Sequence, residues 1–457
     1  MPHVVVVGGG LSGLAAALAV RSAAPDGTRV TVVEQSGRLG GKVRTGDLGE
    51  EGAETFLVRA PEVAALARAV GLEVRHPATT SASLWVDGAL RPMPGGTLLG
   101  VPADADAVEA AGVLPPDVIA RIRAEPASAT AEPLLPEGDI AVGALVRRRL
   151  GDAVVERLVD PLLGGVYAGR ADALSLAVTV PTLAAAVREH SSLVHAARAA
   201  RPAPSAGPVF GTVPGGLTRL VEAAAAASGA EFRLGAPVRE LRRTTAGWRL
   251  VLGSTRDPEV LDADAVVLAV PATPAARLLG DVSAAAAAEV GVLEYASVGL
   301  VTLALAGTEL PGGSGLLVPA AEGLTVKAVT FLSQKWGTPG HVVRASVGRY
   351  GEEAVLQRSD AELAGAVLTD LARIVGHPVA AVETRVTRWG GALPQYAPGH
   401  LDRVRRARTA LDDHPTLALA GAAYDGVGLP AVVRSGTAAG TRVGQALRSG
   451  AESAHGR

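Results

Sequence analysis

The chain begins, after Met1-Pro2-His3, with Val4-Val5-Val6-Val7-Gly8-Gly9-Gly10-Leu11-Ser12-Gly13, and the helix-forming residues Leu14 to Val20 follow. A continuous apolar run is typical of a parallel strand that is buried on both faces. The glycines after it have the Gly-x-Gly-x-x-Gly spacing of a dinucleotide-binding turn, in which N–H groups at a helix N-terminus hold a pyrophosphate. We therefore predict a Rossmann-like β-loop-α unit. In it Gly8 forms the tight turn, Gly10 admits the pyrophosphate, and Gly13 lets the helix pack on the strand.

A second apolar run, Arg29 to Val33, predicts the next parallel strand, and it ends at Glu34. Glu34 comes 21 residues after Gly13, where a carboxylate can accept hydrogen bonds from ribose hydroxyls. Strand, glycine turn, helix and acidic residue thus occur in the required order. Together they indicate dinucleotide binding, but they do not distinguish FAD from NAD.

The glycine-rich segment Arg38-Leu39-Gly40-Gly41-Lys42 favours a flavin, because it resembles the Gly-Gly motif that follows the dinucleotide motif in flavin-dependent amine oxidases. Two adjacent glycines allow the backbone to run against a flat ring system. Arg38 and Lys42 can offset phosphate or ring charge. The alternative is a surface turn with solvated basic side chains.

A second glycine-rich loop, Gly421 to Pro430, precedes a predicted helix near the C-terminus. Its glycines can bring N–H groups to the edge of a flavin, and a helix N-terminus favours the negative charge of a reduced flavin. Alone, the segment could be a helix-entry loop. Paired with the N-terminal motif, it favours a flavoprotein over a plain NAD dehydrogenase.

The composition excludes several classes of protein. The 457 residues include 43 Lys and Arg and 45 Asp and Glu, which is a formal charge of −2 and disfavours a nucleic-acid partner. The sequence has no cysteine, so disulfides, thiolate metal sites, cysteine nucleophiles and a cysteine-linked flavin are excluded. No apolar run reaches the ~18–20 residues of a membrane span, and the N-terminus lacks a basic signal-peptide region. We predict a cytoplasmic protein without a transmembrane segment.

Several longer motifs resemble the porphyrinogen oxidases of haem biosynthesis, specifically the bacterial protoporphyrinogen/coproporphyrinogen III oxidase family and its actinobacterial members. The resemblance covers nearly the whole chain. The segments that carry it are Gly52-Ala53-Glu54-Thr55-Phe56-Leu57, Asp160-Pro161-Leu162-Leu163-Gly164-Gly165-Val166-Tyr167-Ala168-Gly169, Gln334-Lys335-Trp336, Pro394-Gln395-Tyr396-Ala397-Pro398-Gly399-His400, and Tyr424 to Pro430.

The resemblance implies an α/β fold, α+β overall, in which a Rossmann-like FAD-binding domain of the flavin amine oxidase type joins a sheet-based substrate domain and a helical insertion. We place the FAD-binding domain at residues 1–80, 205–275 and 385–457. The substrate domain then takes residues 81–100 and 276–384, and the helical insertion takes residues 101–204. An antiparallel sheet is predicted within residues 295–350, and a final helix from Pro430 to Leu447 with a frayed tail from Ser449.

The family's FAD contacts carry over residue by residue. The implied cofactor-binding residues are Gly8, Gly9, Gly10, Leu11, Ser12, Gly13, Glu34, Gln35, Lys42, Gly52, Ala53, Glu54, Thr55, Val238, Trp389, Val427, Gly428 and Leu429. The FAD is expected to be non-covalent. No catalytic side chain is identified, because the cofactor performs the difficult step and the protein supplies orientation, cavity and charge.

The implied reaction converts coproporphyrinogen III to coproporphyrin III through three hydride transfers to FAD, with O2 as acceptor and H2O2 as product. Protoporphyrinogen IX, another amine-oxidase-type substrate, and a flavoprotein scaffold without turnover are the alternatives. Some relatives touch a membrane through the helical insertion, but the acidic, proline-rich stretch Glu125 to Gly138, predicted as a loop, does not resemble an anchor. Peripheral membrane contact and docking with a ferrochelatase-type enzyme stay open.

The sequence gives weaker evidence for a functional role of the other polar residues. The nine histidines show no metal-ligand spacing, so no metal is predicted, and His400 is interpreted as a structural or cavity-rim residue. Tyr167 is either part of a tetrapyrrole cavity or a packed core residue. Arg349 and Arg91 could each pair with a substrate propionate, with a solvated arginine as the default.

Overall fold

The computed structural model describes residues 1–130, 132–135, 137–203 and 207–455. The chain divides into two compact units. The first unit comprises Met1–His76, Gly207–Leu293 and Leu401–Arg457, and the second comprises Pro77–Ala206 and Glu294–His400. Each unit is therefore built from separated chain segments.

The strands of the described residues are numbered in chain order. They are β1 (His3–Val7), β2 (Arg29–Val33), β3 (Thr45–Gly46), β4 (Gly49–Glu50), β5 (Phe56–Leu57), β6 (Ala82–Val86), β7 (Ala89–Pro92), β8 (Thr97–Leu98), β9 (Val101–Pro102), β10 (Phe210–Gly211), β11 (Glu231–Arg233), β12 (Val238–Thr244), β13 (Gly247–Gly253), β14 (Pro258–Ala263), β15 (Ala265–Leu268), β16 (Tyr295–Leu305), β17 (Gly315–Leu317), β18 (Val326–Phe331), β19 (Val342–Val347), β20 (Ala381–Pro394) and β21 (Leu417–Leu419).

The α-helices are numbered in the same way. They are α1 (Leu11–Ala23), α2 (Pro61–Ala69), α3 (Ala105–Ala110), α4 (Pro116–Ala124), α5 (Val142–Leu150), α6 (Asp152–Val154), α7 (Asp160–Tyr167), α8 (Leu176–Thr179), α9 (Pro181–Ala186), α10 (Leu193–Ala200), α11 (Leu217–Ser228), α12 (Ala272–Leu279), α13 (Ala284–Gly291), α14 (Leu332–Trp336), α15 (Asp360–Val375), α16 (His400–Thr409), α17 (Ala422–Asp425) and α18 (Leu429–His455). A π-helical turn, Val155–Val159, joins α6 to α7, and 3-10 turns lie at Glu125–Ser128, Ala320–Glu322 and Glu353–Gln357.

The first unit is organised around a five-stranded parallel sheet in the order β11-β2-β1-β15-β21. Strand β1 lies in the middle, and its four valines are at most 4% exposed, as expected for a parallel strand that is covered on both faces. The predicted Rossmann-like arrangement is confirmed: β1, the glycine turn, α1 and β2 follow in that order. Helix α18 packs along α1.

The first unit also contains an antiparallel sheet, β12-β13-β14. The sequence predicts strands near Val238 and at Trp248 to Leu252, and both exist, but it misses β14. That strand has the residues Pro-Glu-Val-Leu-Asp-Ala and is largely exposed, so it lacks the continuous apolar run that identifies a buried strand.

The second unit is organised around a seven-stranded sheet in the order β20-β16-β19-β18-β17-β6-β7. The predicted antiparallel pairing of its central strands is confirmed, with Gly299 to Ala304 of β16 facing Val347 to Val342 of β19. Apolar side chains of α15, including Leu363, Val367 and Leu371, form one core with the side chains of β16, β18 and β19. Helix α7 also packs on β17 and β18.

Helices α4 to α10 of the second unit share a core with a strand of its sheet. Leu84 and Val86 of β6 belong to the same buried cluster as helical residues such as Ile119, Leu145 and Leu158. The structure thus divides the chain into two units where the sequence analysis names three domains. The three-domain division stays a prediction, and its boundary between residues 204 and 205 lies outside the described residues, as do residues 456 and 457.

Two local predictions are wrong. The stretch Glu125 to Gly138 begins with a 3-10 turn, because the Glu125 carboxylate is buried and accepts hydrogen bonds from the Leu193 and Val194 N–H groups. The tail after Ser449 is helical, since α18 continues to His455.

Candidate functional site

The turn between β1 and α1 has the tight geometry that its glycines predict. The Gly8 N–H donates to the Val33 carbonyl over 2.8 Å, and Gly8 has a φ of +111°, which disfavours any residue with a side chain. A Cβ atom at Gly13 would lie 1.9 Å from the Gly8 carbonyl oxygen. Gly13 therefore sets how closely α1 approaches the turn.

The N-terminus of α1 has the properties of an anion-binding site. No side chain caps it, and its first turn holds no acidic residue. The first N–H groups of a helix have no intrahelical acceptor and carry the positive end of the dipole. The Ser12 hydroxyl lies in this turn, and it is buried without a hydrogen-bond partner among the described residues. A donor left in this state fits a ligand that brings its own acceptors.

Gly10 leaves open space beside this helix end. A Cβ atom added to Gly10 would meet only the Gly41 Cα, at 3.9 Å, and the Gly10 backbone is extended, with a φ of −72°. The structure therefore does not need a glycine here for its own packing. The free space fits the predicted approach of a pyrophosphate to the backbone.

Glu34 lies at the end of β2 and is only 8% exposed. Its Oε2 accepts the Gly9 N–H over 2.7 Å, and its Oε1 accepts the Ser36 N–H over 2.8 Å. Each carboxylate oxygen has a further acceptor site, which two ribose hydroxyls could fill. The Ala236 N–H donates to the Glu34 carbonyl, which brings the segment before the predicted contact Val238 to the same place.

The loop after Glu34 is tied to the glycine turn. The Gly40 N–H donates to the Gly9 carbonyl over 2.8 Å. The Arg38 guanidinium donates to the carbonyls of Leu39, Gly41 and Val43. Arg38 therefore stabilises its own loop, in addition to the offset of phosphate or ring charge that the sequence suggests. This use of an arginine within its loop is not visible in the spacing of the residues.

Lys42 lies in the same loop and is half-buried. Burial lowers the pKa of its ammonium to about 8, because desolvation disfavours the charged form. The Ala53 N–H donates to the Lys42 carbonyl over 3.0 Å. The predicted contact segment Gly52 to Thr55 is thereby joined to Lys42.

The C-terminal glycine loop is held by a polar network that the sequence analysis missed. The Arg408 guanidinium donates to both oxygens of Asp425, over 2.8 and 2.7 Å. The Ser435 hydroxyl donates to Asp425 and accepts the Gly421 N–H. The signal in the sequence was the acidic residue Asp425 inside a glycine-rich loop, which indicates that a basic side chain lies nearby to pair with it. Leu429, near the end of this segment and at the start of α18, shares an apolar cluster with Leu11 of α1.

Two predicted FAD contacts, Trp389 and Gln35, stay predictions. Trp389 lies on β20 of the second unit, opposite Val298, and packs in a small cluster with Tyr350 and Leu393. Gln35 is exposed at the end of β2. The predicted residues that the structure does bring together are the 8–13 turn, Glu34, Lys42, the 52–55 segment, the start of β12 at Val238, and Leu429.

The aromatic candidates of the second unit form a packed group. The Tyr167 ring meets the Tyr396 ring edge-on at 5.8 Å, and burial raises the pKa of Tyr167 to about 12. The His400 ring lies 4.7 Å from Tyr396, and His400 is buried as predicted for a structural residue. Arg91 is exposed on β7.

A small cavity of the second unit contains two buried cations. Arg349 has 14% of its side chain exposed, so it is not the solvated arginine of the default interpretation. Lys327, which sequence reasoning did not select, is 5% exposed and lines the same cavity, of about 20 Å³. The signal in the sequence that could have drawn attention to Lys327 is that lysine is rare in this chain.

The described part of the chain contains neither a cluster of metal ligands nor a helix that could span a membrane. No group of three or more His, Cys, Asp or Glu side chains there could hold a metal ion. No helix of those residues has both the length and the apolar character that crossing a bilayer requires.

The chain is similar to known proteins over nearly its full length. A family model described as flavin containing amine oxidoreductase matches residues 11–444. The coproporphyrinogen III oxidase of Mycobacterium leprae is 40% identical, over 94% of this chain and 95% of that protein. The enzyme of the same name from Mycobacterium tuberculosis is 41% identical, over 97% of each. A solved structure from Exiguobacterium sp. 255-15, assigned as a protoporphyrinogen oxidase, has a TM-score of 0.86 and 33% identity, over 97% of this chain and 98% of that one.

Proposed function

Because the chain belongs to the flavin containing amine oxidoreductase family, in its porphyrinogen oxidase branch, we propose that it oxidises coproporphyrinogen III to coproporphyrin III in haem biosynthesis. Its cofactor is FAD. The observation that carries the proposal is the near full-length similarity to the mycobacterial coproporphyrinogen III oxidases in a chain whose dinucleotide-binding turn is intact.

The residues of the first unit fit FAD. The uncapped N-terminus of α1 would hold the pyrophosphate, with the buried Ser12 hydroxyl as an additional donor. Glu34 would accept from the ribose, since both of its oxygens are fixed by backbone N–H groups and each keeps an acceptor site. Lys42 would sit near negative charge, which raises the pKa that burial has lowered.

FAD, when bound, supplies the chemistry by accepting a hydride from the substrate. The task of the chain is to orient the substrate, exclude water and balance charge. Cation-bearing cavity walls suit this substrate, because coproporphyrinogen III has four propionates, whereas protoporphyrinogen IX has two propionates and two vinyl groups. The low aromatic content of 3% also offers few rings for stacking on vinyl-bearing pyrroles.

O2 is the proposed electron acceptor, with one H2O2 released for each two-electron step. We place the protein in the cytoplasm, because its cysteine-free sequence carries no sign of an oxidising compartment. Peripheral membrane contact and docking with a ferrochelatase-type enzyme stay predictions from the resemblance alone.

Oxygen uptake by the purified holoenzyme tests the substrate assignment. Coproporphyrinogen III and protoporphyrinogen IX are supplied at matched concentration, and peroxide is measured in parallel. We expect a higher kcat/KM for coproporphyrinogen III, and a preference that shrinks as salt screens the carboxylate contacts. A clear preference for protoporphyrinogen IX would overturn the substrate and leave the fold and cofactor standing, whereas uptake with neither would indicate a scaffold without turnover.

A further inference from the structure

The strongest unexplained feature of the second unit is an ammonium group without an anion. Lys327 is 5% exposed, and among the described residues it has neither an ion pair nor a side-chain hydrogen bond. Burying a charge is costly unless it is paired. If Lys327 had only a structural role, an apolar residue of similar size could take its place without loss of packing. The buried charge therefore points to a partner that is not part of the chain.

The backbone places Lys327 away from the sheet core. The pairing of β18 with β19 shifts register between Val326 and Ala328, so Lys327 is the extra residue of a bulge. Bulges re-aim side chains and are common next to active sites. The Lys327 carbonyl accepts the Val318 N–H over 2.9 Å, which fixes the bulged residue to the neighbouring segment.

The groups around Lys327 leave the cavity positive. Arg349 lines it too, and this guanidinium donates to the Val318 carbonyl over 3.2 Å and lies 4.0 Å from Glu352. Arg170 pairs with the same Glu352. The remaining carboxylate, Asp160, accepts the Ala171 N–H over 2.6 Å. Three basic side chains thus lie near two carboxylates, each of which already has a partner, so a carboxylate that enters the cavity would favour the protonated form of Lys327.

We propose that Lys327 and Arg349 form a subsite for one propionate carboxylate of the porphyrinogen. The inference rests on the proposed function and deepens it. The cavity, of about 20 Å³, has room for a water-sized group, so it admits the end of a carboxylate side chain and excludes a ring. Its walls include Gly164 and Gly165 of α7, which present backbone and no side chain to it. An ammonium and a guanidinium give the carboxylate charge-assisted hydrogen bonds.

Equilibrium binding of the product to the holoenzyme tests the subsite directly. Lys327→Met keeps the length of the side chain and removes its charge. Lys335→Met, the same change on α14 of the same unit and outside the cavity, is the matched control. Coproporphyrin III binding is followed by quenching of its fluorescence, and KM and kcat are measured for coproporphyrinogen III.

We expect Lys327→Met to raise the Kd and the KM at least tenfold, the size of effect for one charge-assisted hydrogen bond, with kcat within about twofold. Lys335→Met should stay within about twofold of the unmodified protein. Coproporphyrin III tetramethyl ester, which has no carboxylate, should bind the unmodified and Lys327→Met proteins equally. An ester affinity that falls as much as that of the acid would mean a general structural defect and overturn the subsite.

Two further results separate the possible failures. If inorganic phosphate or acetate raises the Tm of the unmodified protein but not of Lys327→Met, while coproporphyrin III binds both equally, the cavity takes a free anion and the propionate assignment is wrong. If Lys327→Met binds and turns over like the unmodified enzyme, the subsite fails although the proposed function holds. Absence of turnover by the unmodified enzyme would instead defeat the proposed function.

Discussion

The dinucleotide turn of the first unit and the cationic cavity of the second are both suited to anions, but they are built differently. The turn uses backbone N–H groups and empty space, and its polar groups come from Gly8 to Gly13 and Glu34. The cavity uses charged side chains from α7, β18 and the segment after β19. An empty backbone site lowers the stability of the fold little, because free N–H groups occur at the N-terminus of every helix. A buried ammonium destabilises the fold until its anion arrives.

The largest effects are expected from substitutions at two glycines of the turn, one of which should prevent folding and the other FAD binding. Gly13→Ala should unfold the first unit, because its Cβ would lie 1.9 Å from the Gly8 carbonyl oxygen. Gly10→Val should fold, because the space beside it is open and its backbone is extended, yet lose FAD almost completely.

Circular dichroism with flavin stoichiometry after gel filtration checks both variants. A folded Gly10→Val protein with normal FAD content would show that the pyrophosphate lies elsewhere. A Gly13→Ala protein as stable as the original would contradict the close approach of α1 to the turn.

Glu34→Gln should weaken FAD binding about tenfold or more, an intermediate effect. The amide keeps one acceptor oxygen, but its NH2 group faces an N–H donor where Glu34 accepts from both Gly9 and Ser36. Fluorescence titration of the deflavinated protein with FAD measures the Kd, and Glu222→Gln, the same change at an exposed position of α11, is the control. If the Glu34→Gln variant and the control bind FAD with equal affinity, the Glu34 carboxylate does not contact FAD.

Lys327→Met should make the ligand-free protein more stable at pH 7, by roughly 3–5 kcal/mol, the free energy that corresponds to a lysine pKa lowered this far by burial. Burial, aided by Arg349, lowers the pKa of Lys327 from 10.5 to about 7, so the unfolded chain binds more protons between these two pH values. The folded protein with Lys327 therefore gains stability as pH rises from 7 toward 10.5, and the advantage of the variant fades over that interval. Urea unfolding at several pH values measures it. A constant difference across this range would show that Lys327 is not a desolvated ammonium.

The same contrast explains which parts could be predicted from the sequence. The turn was predictable because its glycines, helix start and strand are consecutive, and Glu34 stands at a fixed distance. Arg349 was named from the sequence as a possible partner of a propionate, but Lys327 was not. Lys327, Arg349 and Asp160 come from three distant segments, and the bulge at Lys327 depends on the register of β18 against β19. Likewise β14 was missed because an exposed strand lacks an apolar run, and the Arg408 partner of Asp425 lies on another helix.

Anaerobic titration of the purified holoenzyme with coproporphyrinogen III tests the proposed oxidation most directly. Without oxygen, each molecule converted to coproporphyrin III must leave its electrons on the protein. We expect the visible absorbance of the bound flavin to bleach, with three flavins reduced for each coproporphyrin III formed. A flavin that stays oxidised with coproporphyrinogen III, while protoporphyrinogen IX or an amine reduces it, would contradict the proposed oxidation of coproporphyrinogen III.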